Sequence, residues 1–150
     1  MIQYVKGDAT APNMDAEGEH VIVHCCNNIG GWGSGFVLAL NKRWAAPQRA
    51  YRSMDAYPLG AIQLVKVAPR LSVCNLIGQV GVGRRPDGSP PVDYAAIRTG
   101  LVALRSTFHD KTVSVHMPRM GAGLAGGKWE TIEAIVNEVL EGYPVTVYDL

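Results

Sequence analysis

Between Val21 and Gly35 the chain reads VIVHCCNNIGGWGSG, which gathers most of the side chains able to act on a small ligand. His24 lies at the end of the apolar run, next to the loop, where it can be a hydrogen-bonded core histidine. Asn27 carries a carboxamide able to cap the end of the strand. Gly30, Gly31, Gly33 and Gly35 then alternate with Trp32 and Ser34. Such a loop lets backbone N–H groups come close to a phosphate. Cys25 and Cys26 raise the chemistry of a thiol phosphatase, which needs an arginine shortly after the nucleophile. Six residues on stand Gly31 and Trp32, so both thiols read as core packing.

The spacing G-G-x-G-x-G is neither a P-loop, since no Lys-Ser or Lys-Thr follows, nor a dinucleotide fingerprint with its acidic residue about 20 positions on. A second glycine loop, MPRMGAGLAGG, runs over residues 117–127. His20, His24, His109 and His116 are scattered, without acidic or cysteine partners at metal-binding spacing, so no metal is expected.

The elements that must hold these residues can be read from periodicity. Val21-Ile22-Val23 opens a strand over 21–26 of the type buried on both faces. A helix is expected over 34–43 with Ser34 as its N-cap. Residues 2–6 alternate as a strand, and 9–20 form a polar connection. Pro47 opens a helical piece over 48–54. Residues 61–67 and 71–77 read as strands separated only by Ala68-Pro69-Arg70, short enough for a hairpin. The glycine- and proline-rich stretch 78–91 is expected to be a long loop, functional or mobile, with Arg84-Arg85 a solvated charge pair in preference to a contact for an anionic ligand or partner. A helix is expected over 92–109, capped by Asp93, then a strand over 112–116, a helix over 128–141 and a strand over 145–148.

Strands and helices thus alternate, which predicts an α/β fold of three layers, α/β/α, around a mixed and mostly parallel sheet. Two strand–loop–helix units, at 21–43 and 112–141, place two glycine loops beyond the carboxyl ends of the strands, where such sheets bind ligands. A pyrophosphate held between them is the resulting inference.

With 150 residues and 47% hydrophobic content, one domain over 1–150 is expected. A net charge of +1 argues against binding driven by a nucleic-acid backbone. The odd cysteine count of 3, the lack of an apolar leader at the N-terminus and the lack of a long apolar run point to a reducing, cytoplasmic compartment without a membrane span.

Tyr4-Val5-Lys6-Gly7-Asp8, the His24…Asn27…Gly33-Ser34-Gly35 loop, Pro118-Arg119-Met120-Gly121-Ala122-Gly123-Leu124 and Val145-Thr146-Val147-Tyr148 together resemble the macro domain, in order and over nearly the whole chain. The resemblance implies a monomer that binds ADP-ribose or a derivative in a cleft between the two loops, without a cofactor. It places the adenine at Asp8 and Ala9, with Tyr148 packed against it or in the core. It places the phosphates at Gly31, Trp32, Gly33, Ser34, Gly35 and at Arg119, Met120, Gly121, Ala122, Gly123, Leu124. It places the distal ribose at His24 and Asn27.

Within the family the chain looks closest to the branch of terminal ADP-ribose protein glycohydrolases, the antitoxin that removes ADP-ribose from DNA, and the yeast-type ADP-ribose 1″-phosphate phosphatase. The glycohydrolases use a lysine after the strand at 71–77 and an aspartate in the second loop. Here those places hold Gly78-Gln79 and Ala125. The phosphatase lacks the same two groups, so dephosphorylation of ADP-ribose 1″-phosphate is the activity the resemblance favours. A non-catalytic reader of ADP-ribose and a deacylase or ADP-ribosyl hydrolase are the alternatives.

Overall fold

The computed structural model describes residues 2–150. Its elements are β1 (Ile2–Lys6), β2 (Glu19–Asn27), α1 (Phe36–Asn41), α2 (Ala46–Arg52), β3 (Ile62–Ala68), β4 (Leu71–Gln79), α3 (Tyr94–Thr107), β5 (Val113–Met117), α4 (Trp129–Val139) and β6 (Val145–Asp149). One six-stranded sheet has the order β1-β6-β5-β2-β4-β3. All neighbours are parallel except the β3–β4 hairpin.

The two faces of the sheet are built differently. Val21, Val23, Cys74, Leu76, Val115, Met117, Val145 and Val147 point to one face and bury against Ile97, Leu101, Leu104, Ile132, Ile135 and Val136 of α3 and α4. Gly100 lets α3 settle on β4, because a Cβ there would lie 2.4 Å from a Leu76 side-chain carbon. Ile22, Cys26, Val73 and Ile77 point to the other face, where Leu40 of α1 and Tyr51 of α2 cover them. Among the described residues no helix covers β1, β6 and β5 on this second face. Gln3, Val5, Ser114, His116, Thr146 and Tyr148 line an open groove of about 790 Å³ there, beside the connection at 9–18. That connection is tied down by Arg70, the one non-glycine residue at positive φ among those described, which donates to the carbonyls of Met14, Ala16 and Gly18.

Three expectations need correction. The first helix begins at Phe36, and its N-cap is Gly35 at φ 80°, not Ser34. A side chain rarely adopts that φ, and a Cβ at Gly35 would also meet Leu124 at 3.0 Å. The loop at 78–91 is anchored: Gln79 bridges to Val92, and Arg85 donates to the carbonyls of Pro91 and Val92. Arg85 is therefore no free charge, and it also lies 3.7 Å from Asp93, whose carboxylate caps α3 by accepting from the Ala96 N–H.

Candidate active site

Beyond the carboxyl ends of β2, β4 and β5 the two glycine loops face each other across a cleft of about 750 Å³, within the span of about 300–1,000 Å³ usual for ligand sites. It is lined by His24 to Asn27, Gly31 to Val37, Gln79, Val82, Gly83, Pro118 to Gly121 and Gly123 to Ala125. Of the residues expected at the site, the cleft brings together His24, Asn27, Gly31, Trp32, Gly33, Ser34, Gly35, Arg119, Met120, Gly121, Gly123 and Leu124. Asp8, Ala9, Ala122 and Tyr148 lie outside its lining, with Asp8 and Tyr148 on the neighbouring groove.

The N–H groups of Gly33, Ser34 and Gly35, and those of Gly121, Gly123 and Leu124, have no acceptor among the described residues. α1 has only six residues, so these loop donors, more than a helix dipole, present positive potential to an anion. Leu124 and Val82, 69% and 66% exposed, form an apolar rim.

Asn27 ties its own loop together and anchors it to α2. Its Oδ1 accepts from the N–H groups of Ile29 (3.1 Å) and Gly31 (2.9 Å) and from the Tyr51 hydroxyl (2.9 Å), and its Nδ2 donates to the Gly31 carbonyl (2.8 Å). This carboxamide sets the loop's shape. Trp32 is fixed in the same way, by an Nε1–H bond to Asn41 Oδ1 at 3.0 Å.

His24 borders the cleft with only 1% of its surface exposed. Its ring lies edge-on to Trp32 at 5.4 Å and tilted against Phe36 at 5.7 Å. Nε2 is 2.6 Å from Asn75 Oδ1. Burial lowers its pKa to about 4, against a smaller upward pull from the Asn75 hydrogen bond. Burial also pushes the thiols of Cys25 and Cys74 up to about 12 and that of Cys26 well upward, so no thiolate forms at neutral pH.

On the neighbouring groove Asp8 Oδ1 accepts from the N–H and the hydroxyl of Thr10, each at 2.8 Å. Burial raises the Asp8 pKa, and these bonds together with Arg43 outweigh it, so the carboxyl titrates below the usual range. Oδ2, 4.0 Å from Arg43, keeps acceptor capacity for a ligand. The Arg119 guanidinium turns outward, pairs with both carboxylate oxygens of Asp149 and stacks over Tyr4 and Trp129, which latches the second loop to the sheet edge.

Tyr148 ends a buried polar chain. Its oxygen accepts from the Asn13 N–H, and its hydroxyl lies 2.8 Å from His116 Nδ1; His116 Nε2 meets His20 Nδ1, and His20 Nε2 meets the Ala16 carbonyl. A carbonyl only accepts, so each proton position along the chain is fixed. Burial and the neighbouring His20 lower the His116 pKa to about 4.

Two histidines thus stay neutral in the fold, while in the unfolded chain they titrate near the ordinary value of 6.5. Below that value the unfolded state binds protons that the native state refuses. Stability is expected to be constant from pH 8 to 7 and to fall between pH 6.5 and 4, by up to about 1.4 kcal/mol per pH unit for each histidine. Urea denaturation across that range measures it, and a flat midpoint would contradict the burial of these rings.

Sequence reasoning missed Asn75, Gln63, Tyr51 and the His20–His116–Tyr148 chain. The available signal was a polar residue inside an apolar strand, as at Asn75 in VCNLI.

No family model matches the chain. It is 43% identical to a macrodomain protein from Streptomyces coelicolor, covering 100% of this chain and 99% of that one with a TM-score of 0.83. The chain belongs to the macrodomain family. A protein of unknown function from Bacteroides thetaiotaomicron is 49% identical over 100% of this chain and 98% of its own, with a TM-score of 0.94. Among curated relatives, the mouse chromodomain-helicase-DNA-binding protein 1-like is 31% identical over 98% of this chain, which spans only 17% of that protein. The bovine ADP-ribose glycohydrolase OARD1 is 29% identical over 99% of this chain and 91% of its own length. The ADP-ribose 1″-phosphate phosphatase of Candida albicans is 24% identical over 92% of this chain and 93% of its own.

Proposed function

We propose that residues 1–150 form a single macro domain that binds ADP-ribose and hydrolyses a derivative at the distal ribose, with ADP-ribose 1″-phosphate the favoured substrate. The carrying observation is the set of unpaired N–H groups on two glycine loops that line one cleft. They suit a pyrophosphate, and His24 and Asn27 stand at the β2 end of the same cleft. Gln79 and Ala125 line it where glycohydrolases of this branch carry lysine and aspartate. Neither can form a covalent sugar intermediate or act as a general base, which favours phosphate release over removal of ADP-ribose from protein or DNA. The relatives named as phosphatase and glycohydrolase support hydrolysis of an ADP-ribose compound. We further propose a cytoplasmic monomer that works without cofactor or metal and does not depend on nucleic acid.

The burial of His24 favours a second reading, a non-catalytic reader of ADP-ribose. Incubation with ADP-ribose 1″-phosphate, O-acetyl-ADP-ribose and ADP-ribosylated protein separates the two. Phosphate release from the first, with slow turnover of the others, is the expected result. Tight binding of all three with no product would establish the reader.

A further inference from the structure

His24, Asn75 and Gln63 lie side by side across three neighbouring strands: His24 of β2 is in register with Asn75 of β4, and Asn75 with Gln63 of β3. All three face the helical layer of α2. We propose that Asn75, backed by Gln63, is a positioning residue that fixes the His24 tautomer and leaves Nδ1 as the proton-accepting atom. This deepens the hydrolytic reading above and rests on it.

The argument begins at two backbone carbonyls. Gln63 Nε2 is 2.9 Å from the Ala50 carbonyl, and Asn75 Nδ2 is 3.1 Å from the Pro47 carbonyl. Carbonyls accept and cannot donate, so both amides are oriented with nitrogen toward α2. Gln63 Oε1 then accepts the second Asn75 Nδ2 hydrogen at 3.1 Å. Asn75 Oδ1 is left facing His24 Nε2 at 2.6 Å. An amide oxygen only accepts, so Nε2 carries the hydrogen. In the neutral ring the lone pair therefore belongs to Nδ1. Asn75 is completely buried, with every polar hydrogen used.

An asparagine in this place differs from the carboxylate that often orients a histidine. It aligns the ring without favouring the imidazolium. The other titratable group against the ring is the Cys26 thiol on β2, whose Sγ lies 3.7 Å from Nε2 and 3.8 Å from Nδ1. No carboxylate or cation hydrogen-bonds to it among the described residues. The buried ring is thus uncharged at neutral pH. A phosphoryl dianion arriving there favours the charged ring and strengthens it as a base.

In the step this implies, Nδ1 takes a proton from the attacking water. The water oxygen bonds to phosphorus while the bond from phosphorus to the C1″ oxygen breaks. The electron pair stays on that oxygen, which recovers the proton from the imidazolium. The products are ADP-ribose and inorganic phosphate.

The test uses the intact chain and two readouts. In the first, nitrogen NMR of the histidine rings, assigned with His24→Gln, reports the tautomer and titration of His24 without any substrate. Nε2–H with bare Nδ1 is expected in the wild type, and no charging of the ring down to pH 5. Asn75→Asp puts a carboxylate against Nε2–H, and the titration should move up by about two pH units or more. In the second readout, the acid limb of kcat/KM for ADP-ribose 1″-phosphate should move with it. Asn75→Leu should lower kcat by about 10-fold or more, the lower end of what a misaligned acid–base group costs, with KM little changed. A purely structural role for Asn75 would lower stability and leave the pH profile in place. An Nδ1–H tautomer in the wild type, or an Asn75→Asp titration identical to wild type, would overturn the proposal. A wild type that never releases phosphate would remove the hydrolysis, while the spectra still decide whether Asn75 sets the ring.

Discussion

Gly33→Glu is expected to abolish ADP-ribose binding while leaving the fold intact. Gly33 lines the cleft, and a Cβ built there meets nothing within 4 Å. A longer side chain therefore has room, and the protein has no reason to unfold. The new carboxylate would share the space of the pyrophosphate. Two like charges about 5 Å apart at an effective dielectric of about 20 repel by roughly 3 kcal/mol, and the pyrophosphate carries more than one. Micromolar binding corresponds to roughly −8 kcal/mol, so a loss of at least about 100-fold should follow. Gly33→Ala, which adds only the harmless Cβ, should bind within a few-fold of wild type. Calorimetry on the three proteins decides the matter, and undiminished binding by the glutamate variant would move the phosphates elsewhere.

His24→Ala should lower turnover of ADP-ribose 1″-phosphate by at least about 100-fold, the usual scale for loss of an acid–base group. ADP-ribose affinity should barely change, because the product lacks the phosphate on which His24 is proposed to act. The substitution also strips Asn75 Oδ1 of its partner and opens space beside Trp32 and Phe36. An unsatisfied buried acceptor costs about 1–3 kcal/mol, so melting temperature and ADP-ribose binding must be measured on the same sample. His24→Gln, which can still donate to Asn75, separates lost chemistry from lost packing. Full activity in either variant would return His24 to the core and leave the reaction to water and the loops.

Most of the architecture was legible because the strands at 21–26, 71–77 and 145–148 are predominantly apolar and the helix at 92–109 keeps its spacing from Asp93 to Phe108. The two loops announced themselves by glycine. The start of α1 was misplaced because a serine is a stronger N-cap signal than a glycine, and only the backbone reveals that Gly35 needs φ 80°. The wiring of the site was less accessible. Asn27 lines the cleft, and its amide also shapes the loop through Gly31 and Ile29, a link that only the folded loop reveals. Asn75 is 51 positions from His24; only strand register brings them together, and register is a property of the assembled sheet. The same holds for Arg119, which lines the cleft and pairs with Asp149, 30 positions away.

The strand order carries a lesson about how this cleft comes into being. β1 sits at the sheet's edge and pairs with β6 alone, Ile2 against Val145 and Lys6 against Asp149, with the Gly7 N–H bonding the Asp149 carbonyl. Closing so long a stretch of chain is entropically costly and tends to come late in folding. The hairpin of β3 and β4 and the adjoining β2 rest on nearer neighbours in sequence. The glycine loop after β2 can therefore take shape while Asp8 is still adrift. The part of the cleft built on β2 would thus mature before the groove that Asp8 borders, and an edge strand held by one partner is also the natural place for the finished protein to breathe.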